Sequence, residues 1–467
     1  MNEGLVKKTG LYLIGNLSSK LVSVLLIPLY AFFVSAEDLG NYDYYQTIML
    51  MVVPFMFVAI WESILKFLLK NEEKKESIIS TTIIFVIAIC TVIIAISYIS
   101  VSIFRIKIDD FSLIIIMIIS YSLACIWQYY SRGLKQNNIY VIGSITGTLI
   151  NFGMNIILLC IFNMGITSLY ISYIISQISI FMIIEFNLKC FKRVRIKYFD
   201  FKLLKEMLKF SSPLVLNLVS MWFISGFGRT LINKTLGAEA QGIYAFANKF
   251  GVVINVLGSV ISMALIEEAV IKSKDEGLRE YFSETIQKLF MMFQSIILIA
   301  SPAIVIFYNI INETPYYSSI NVFAYFLIYA MFMTMATNIG AIFQAIEKTK
   351  YIFFTTILGA ITTIILSVYL IEILGIIGVA IGQISGAIVM LVSRYMICNH
   401  YLKLKINFRI IIIMLLIYII SSFISVKGGI IGSCIMILLN LVFIVIFNKK
   451  DLKNIYLFFL KIINKRG

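Results

Sequence analysis

"SAEDLGNY" (residues 35–42) and "GAEAQGIY" (residues 237–244) share the pattern Ala-Glu-x-x-Gly-x-Tyr, and each lies between two long apolar runs. One copy alone reads as an ordinary helix entry. Glu37 and Glu239 complement the dipole of the helix that follows, Gly40 and Gly242 let a neighbouring helix come close, and Tyr42 and Tyr244 suit a membrane interface. Two copies at matching places read as a duplication. Further echoes support it: "GLKQNNIY" (133–140) pairs with "QAIEKTKY" (344–351), and "NMGITSLYISYIISQIS" (163–179) with "ILGIIGVAIGQISGAI" (373–388). In the last pair Gly165 and Gly375 fall at corresponding turns. An even number of apolar runs separates the copies, so both halves have one orientation and are parallel repeats.

The apolar runs define the class. The 467-residue chain is 60% hydrophobic and 13% charged, about half the charge of a soluble domain, and its mean hydropathy is +0.97. Many runs reach the roughly 18 residues that a spanning helix needs. An outer-membrane barrel would need short alternating segments, and the sequence has none. The pattern predicts an all-α polytopic membrane protein with about 14 spans, near 11–34, 43–65, 78–103, 111–130, 139–162, 166–187, 210–233, 241–266, 286–309, 319–343, 351–371, 374–398, 408–426 and 429–447. The first run contains Asn16, Ser18, Ser19 and Lys20 and continues to Val34 with no small-residue cleavage site, so it is predicted to be a span and not a leader.

Charge orients the spans. With Lys7 and Lys8 on the cytoplasmic side, alternate loops collect nearly all the basic residues, including Lys189, Lys192, Arg193, Arg195, Lys197, Lys202, Lys205 and Lys209. The outer connections hold only Arg105, Lys107, Lys234 and Lys427. Both termini are therefore predicted to be cytoplasmic. Insertion polarity and anionic membrane lipids account for the net charge of +15, without a nucleic-acid partner. The predicted organisation is a six-helix lobe (1–187), a basic linker with an amphipathic helix (188–209), a second six-helix lobe (210–398), an accessory pair of spans (399–447) and a basic tail (448–467). A second amphipathic stretch, 279–290, is expected at the membrane surface. The six cysteines are scattered and there is one histidine, His400, so neither a metal centre nor a cofactor is expected.

Polar residues inside spans point to the work of the molecule, because each is costly in lipid. Three are cations: Lys20, Arg229 and Lys249. Lys20 shares one helical face with Asn16, Ser19 and Ser23; Arg229 follows Asn217 at four-residue steps; Lys249 neighbours Asn248 and Asn255. Gln46, Gln128, Asn151, Asn155, Gln177, Asn338 and Gln344 are further polar candidates, with interhelical hydrogen bonding as the alternative use of each. The acids Glu62, Glu185, Glu267 and Glu268 fall near cytoplasmic ends and Asp43 near an outer end. A cavity with positive charge and no mid-depth carboxylate suits an anionic headgroup such as a lipid-linked diphosphate.

Fourteen predicted spans, a polar Lys-bearing first span, "SAEDLGNY" with its echo, and "AIEKTKY" ahead of "LGIIGVAIGQ" together resemble the polysaccharide (Wzx-type) flippases. These belong to the MATE-like multidrug/oligosaccharidyl-lipid/polysaccharide exporter superfamily. The resemblance implies two pseudo-symmetric six-helix bundles that move undecaprenyl-diphosphate-linked oligosaccharide (an O-antigen, capsule or exopolysaccharide repeat unit) across the bacterial cytoplasmic membrane by alternating access. It further implies a transporter and not an enzyme, a cationic cavity built on Lys20, Arg229 and Lys249, polysaccharide assembly proteins as partners, and H+ or Na+ as a coupling ion. Flippases of lipid II or teichoic-acid precursors remain open as relatives in function. So does a MATE-type drug or cation antiporter, against which the missing carboxylate counts.

Overall fold

The structure, a computed structural model, describes residues 25–70, 72–102, 110–272, 278–345, 348 and 350–447. Among them every regular element is a helix and no strand occurs. In chain order these are α1 (residues 25–33), α2 (Ala36–Met56), α3 (Ile60–Lys70), α4 (Lys75–Ser102), α5 (Phe111–Gly133), α6 (Asn137–Ile156), α7 (Ile166–Leu188) and α8 (Cys190–Arg193). There follow α9 (Phe201–Ser225), α10 (Phe227–Leu236), α11 (Ala238–Lys272), α12 (Leu278–Ile310), α13 (Phe323–Ala345), α14 (Lys350–Leu374), α15 (Ile376–Leu402) and α16 (Phe408–Phe447). Ten helices are each long and apolar enough to cross a membrane, and α2 with α3 adds an eleventh candidate as a pair bent by 52°. That bend has a local cause: Pro54 removes a backbone donor, and Val58 and Ala59 take positive φ of 50° and 45°.

Three glycines turn helices back on themselves. Gly165 (φ 55°, ψ −135°), Gly375 (φ 57°) and Gly429 (φ 58°, ψ −139°) hold conformations that side chains disfavour. At Gly429 the helical run of α16 becomes a hairpin. Asn440 Nδ2 donates to Ser421 Oγ at 2.8 Å across 19 residues, whereas a straight helix would separate them by about 28 Å. α16 therefore supplies two spans, and with α1 and α11 in the places predicted for spans one and eight the helices are consistent with fourteen. Behind Gly375, α15 presents Gly378, Gly382 and Gly386 at four-residue steps to Leu370, Ser367 and Thr363 of α14, a small-residue seam of the kind that holds membrane helices together. The hairpin at Gly165 is closed in the same way, with Ser176 Oγ donating to the Gly147 carbonyl at 2.7 Å.

By packing, the chain forms two compact units. One contains the described residues up to Lys249 together with Thr356–Gly386; the other contains Phe250–Thr355 and the described residues from Ala387 onward. In the first, α7 packs on α5 and α6, and α2 on α9 and α10. The Glu185 carboxylate accepts from Trp127 Nε1 (2.8 Å) and from the amides of Cys190 and Phe191 (both 3.0 Å), which pins the start of the basic linker to the bundle. Farther along the linker, the Arg195 and Asp200 amides donate to Ser80 and Thr81 of α4. In the second unit α12 packs on α13 and α16, with Ser301 bonded to Ser422 and Asn440 to the Leu298 carbonyl.

The two amphipathic stretches are not separate surface helices. Residues 201–210 are the first turns of α9 and residues 279–290 those of α12. In α9 a local cap and a tertiary contact both contribute: Asp200 caps the helix by accepting from the Leu203 amide at 3.0 Å, and Ser63 Oγ of α3 donates to the Met207 carbonyl at 2.6 Å. Elsewhere large apolar side chains stand exposed, among them Ile420, Phe423 and Ile431 of α16, as a lipid-facing surface requires.

Candidate functional site

Within the first unit five helices surround a cavity of about 280 Å³, at the small end of ligand-site volumes. α1 contributes Leu26 and Tyr30; α2 contributes Tyr42 and Gln46; α6 contributes Thr148 and Asn151. From α7 come Tyr173, Ser176, Gln177 and Ile180, and from α11 comes Lys249. The helical period sets this arrangement: Tyr42 and Gln46 are one turn apart, and the four α7 residues form a single stripe. Gln46 Nε2 donates to Tyr42 Oη at 3.3 Å. Asn155, buried behind Asn151, donates to the Asn151 side chain at 3.3 Å and to its carbonyl at 2.8 Å. The Lys249 ammonium lies 4.7 Å from the centre of the Tyr30 ring, a cation–π distance. Among the described residues no carboxylate lines the cavity.

Arg229 is differently placed. It opens α10 just after the break at Gly226, and its Nη1 pairs with Asp43 Oδ1 of α2 at 3.1 Å while also reaching Thr47 Oγ1 at 3.4 Å. Gln241 Nε2 donates to the second Asp43 oxygen at 2.6 Å, and Trp222 Nε1 donates to the Thr47 carbonyl at 2.8 Å. The satisfaction is incomplete: Arg229 Nε, Thr230 Oγ1, Asn233 Nδ2 and Gln241 Oε1 are buried without a hydrogen-bond partner among the described residues. Lys249 lies within electrostatic reach of both Asp43 and Arg229.

The repeated motifs meet beside this pair. A Cβ on Gly40 would overlap the carbonyl of Ala238, and a Cβ on Gly242 would overlap the carbonyl of Ala36. The relation is reciprocal, so the two Ala-Glu-x-x-Gly-x-Tyr copies cross one another at their glycines. Ser35 starts α2 by capping the Asp38 amide at 3.0 Å, and Gly237 precedes α11 at φ 92°.

Of the residues singled out in the sequence, Gln46, Asn151 and Lys249 line the cavity, Asn155 stands behind it, and Arg229 joins the Asp43 pair. Asn217 on α9 and Asn248 on α11 are half-buried. Asn255 and Asn338 belong to the second unit, where Thr334 Oγ1 donates to Asn255 Oδ1 at 3.2 Å and Asn338 Nδ2 donates to the Thr334 carbonyl at 3.0 Å. Asn16, Ser19, Lys20 and Ser23 lie outside the described residues. Gln177 was among the polar candidates and does line the cavity, whereas Tyr30 and Tyr173 were not assigned to it by sequence. The signal was the i, i+3, i+4 stripe Tyr173, Ser176, Gln177, which a polar-only search passes over because tyrosine also counts as an interfacial residue.

A family model described as "Polysaccharide biosynthesis protein" matches residues 5–266. No curated protein sequence matches the chain. Among solved structures, the lipid II flippase MurJ in an inward closed conformation superposes with a TM-score of 0.67 at 17% identity, covering 94% of this chain and 99% of that one. An inward-facing multidrug resistance MATE family transporter of the MOP superfamily superposes with a TM-score of 0.63 at 15% identity, over 85% of this chain and 95% of that one. At these identities the likeness establishes the fold, which is MATE-like.

Proposed function

The chain belongs to the polysaccharide biosynthesis protein family, and on that premise we propose that it is a flippase for undecaprenyl-diphosphate-linked oligosaccharide in a bacterial cytoplasmic membrane. The observation that carries the reading is the cavity itself: its described lining has neutral amides and hydroxyls, one lysine and no carboxylate, inside an apolar helical protein. An ammonium in a lining that offers it no carboxylate, with Asp43 in electrostatic reach but already paired to Arg229, favours an anion. Lys249 holds the diphosphate, with Lys20 and Arg229 as the further cations of the path. Arg229 is neutralised by Asp43 in this structure, so it serves the substrate only when that pair opens. The unpartnered polar atoms around the pair make it less costly to break than a fully satisfied network.

Transport is by alternating access of the two six-helix lobes, residues 1–187 and 210–398. With both termini cytoplasmic, the crossing at Gly40 and Gly242 lies on the outer side of the membrane. An H+ or Na+ gradient drives the cycle, and polysaccharide assembly proteins receive the product. Cells lacking the protein test the reading through the leaflet distribution of lipid-linked oligosaccharide. The expected result is accumulation in the inner leaflet, restored by the wild type and restored at least tenfold less well by Lys249→Gln at equal protein level. Normal outward transfer in the deletion strain would sink the flippase reading. Full rescue by Lys20→Ala, Arg229→Ala and Lys249→Gln alike would remove the cationic path.

A further inference from the structure

We propose that the cavity of the first unit is a sugar subsite, holding the monosaccharide joined directly to the diphosphate while Lys249 pairs with the phosphate. The proposal rests on the flippase reading and names what that site recognises. Its lining decides the ligand class. An amide in a low-dielectric site loses free energy unless a partner replaces water, so Gln46, Asn151 and Gln177 argue against a polyprenyl tail there. A coupling cation or cationic drug would need a carboxylate, and the lining offers an ammonium instead. A sugar ring has the complementary surface: hydroxyls that both donate and accept, and an apolar face for tyrosine rings.

The duplication supplies an internal control. Each repeat carries a motif tyrosine and, on the return helix of its glycine hairpin, a glutamine in the sequence Ser-Gln-Ile-Ser or Gly-Gln-Ile-Ser. In the second repeat these are consumed by the fold. Tyr244 Oη donates to Gln383 Oε1 at 2.6 Å, and Gln383 Nε2 donates to the carbonyls of Ile224 and Ser225 at 3.2 and 3.3 Å. Both side chains are buried. In the first repeat Tyr42 and Gln177 face the cavity instead, with Gln177 one helical turn farther from its hairpin glycine. No hydrogen bond joins Gln177 to another described residue. The second-repeat glutamine is thus spent on structure, whereas Gln177 is left for a ligand beside a Tyr42 hydroxyl that accepts from Gln46, itself a cavity residue.

The test uses the full-length protein in lipid nanodiscs and compares binding of bare undecaprenyl diphosphate with the same lipid carrying a single glucose, galactose or N-acetylglucosamine. At least one glycosylated probe is expected to bind about tenfold more tightly than the bare lipid. Gln177→Leu and Asn151→Leu should cut that preference to about threefold or less while leaving the bare lipid unaffected, as loss of one or two hydrogen bonds predicts. Lys249→Gln should weaken all probes by a similar factor. Tyr173→Phe, which keeps the ring, covers the case in which a Leu variant fails to fold. Equal binding of bare and glycosylated lipids by the wild type, or an undiminished preference in the folded variants, overturns the subsite alone. Failure to bind any of the probes overturns the flippase reading as well.

Discussion

Arg229 and Asp43 show how a charge in a membrane protein is made tolerable without fixing its purpose. The two are 186 residues apart in sequence, and nothing local links them; an arginine near a span end reads as well as a snorkelling side chain. Only the crossing of the motif helices brings the carboxylate to the guanidinium. Removing one partner of a buried pair strands the other and costs about 3–5 kcal/mol, and the residual exposure here (21% and 13% of the side chains) lowers that figure. We expect Asp43→Ala and Arg229→Ala each to lower stability by about 1–3 kcal/mol, with the double variant less destabilised than the sum. Thermal unfolding of the four proteins in a double-mutant cycle measures the coupling; strictly additive effects would mean that the pair contributes nothing as a pair.

At the scale of elements, the glycines carry most of what the sequence made legible. The turn glycines Gly165 and Gly375 were readable because they recur at the same place in each half, and the combination φ 55°, ψ −135° at Gly165 is one that essentially only glycine adopts. The motif glycines were readable as points of close approach, but not as partners of each other, because a repeat reports equivalence and not contact. The bend between α2 and α3, the break at Gly226 and the fusion of the amphipathic stretches into α9 and α12 were not readable. The bend follows from backbone conformations at Val58 and Ala59, and the fusion into α9 has tertiary support in the bond from Ser63 to the Met207 carbonyl, neither of which hydropathy records. Because a methyl group at Gly40 or Gly242 meets backbone and not a flexible side chain, Gly40→Ala and Gly242→Ala should each cost about 1–3 kcal/mol. Gly153→Ala, with nothing within 4 Å, should be neutral or slightly stabilising through its higher helix propensity. Melting midpoints of the three variants decide this; equal midpoints would contradict the close crossing.

For the whole molecule, fold and family were legible because they rest on long-wavelength features: apolar runs, alternation of basic loops and a repeat spanning the chain. The site was legible only in part. Gln46, Asn151, Gln177 and Lys249 could be nominated as polar residues in apolar surroundings, whereas Tyr30 and Tyr173 join them through helix packing and not through composition. A single chemistry then connects the levels: a MATE-like bundle encloses a neutral polar cavity with one lysine, and that combination is suited to a sugar diphosphate on a lipid. The most direct measurement reconstitutes the purified protein in liposomes holding a fluorescent undecaprenyl-diphosphate sugar and follows its exposure to a membrane-impermeant quencher. Wild-type protein should render the inner-leaflet fraction accessible, and Lys249→Gln should slow this at least tenfold; a wild-type rate no faster than protein-free liposomes, with or without an imposed H+ or Na+ gradient, would contradict the account.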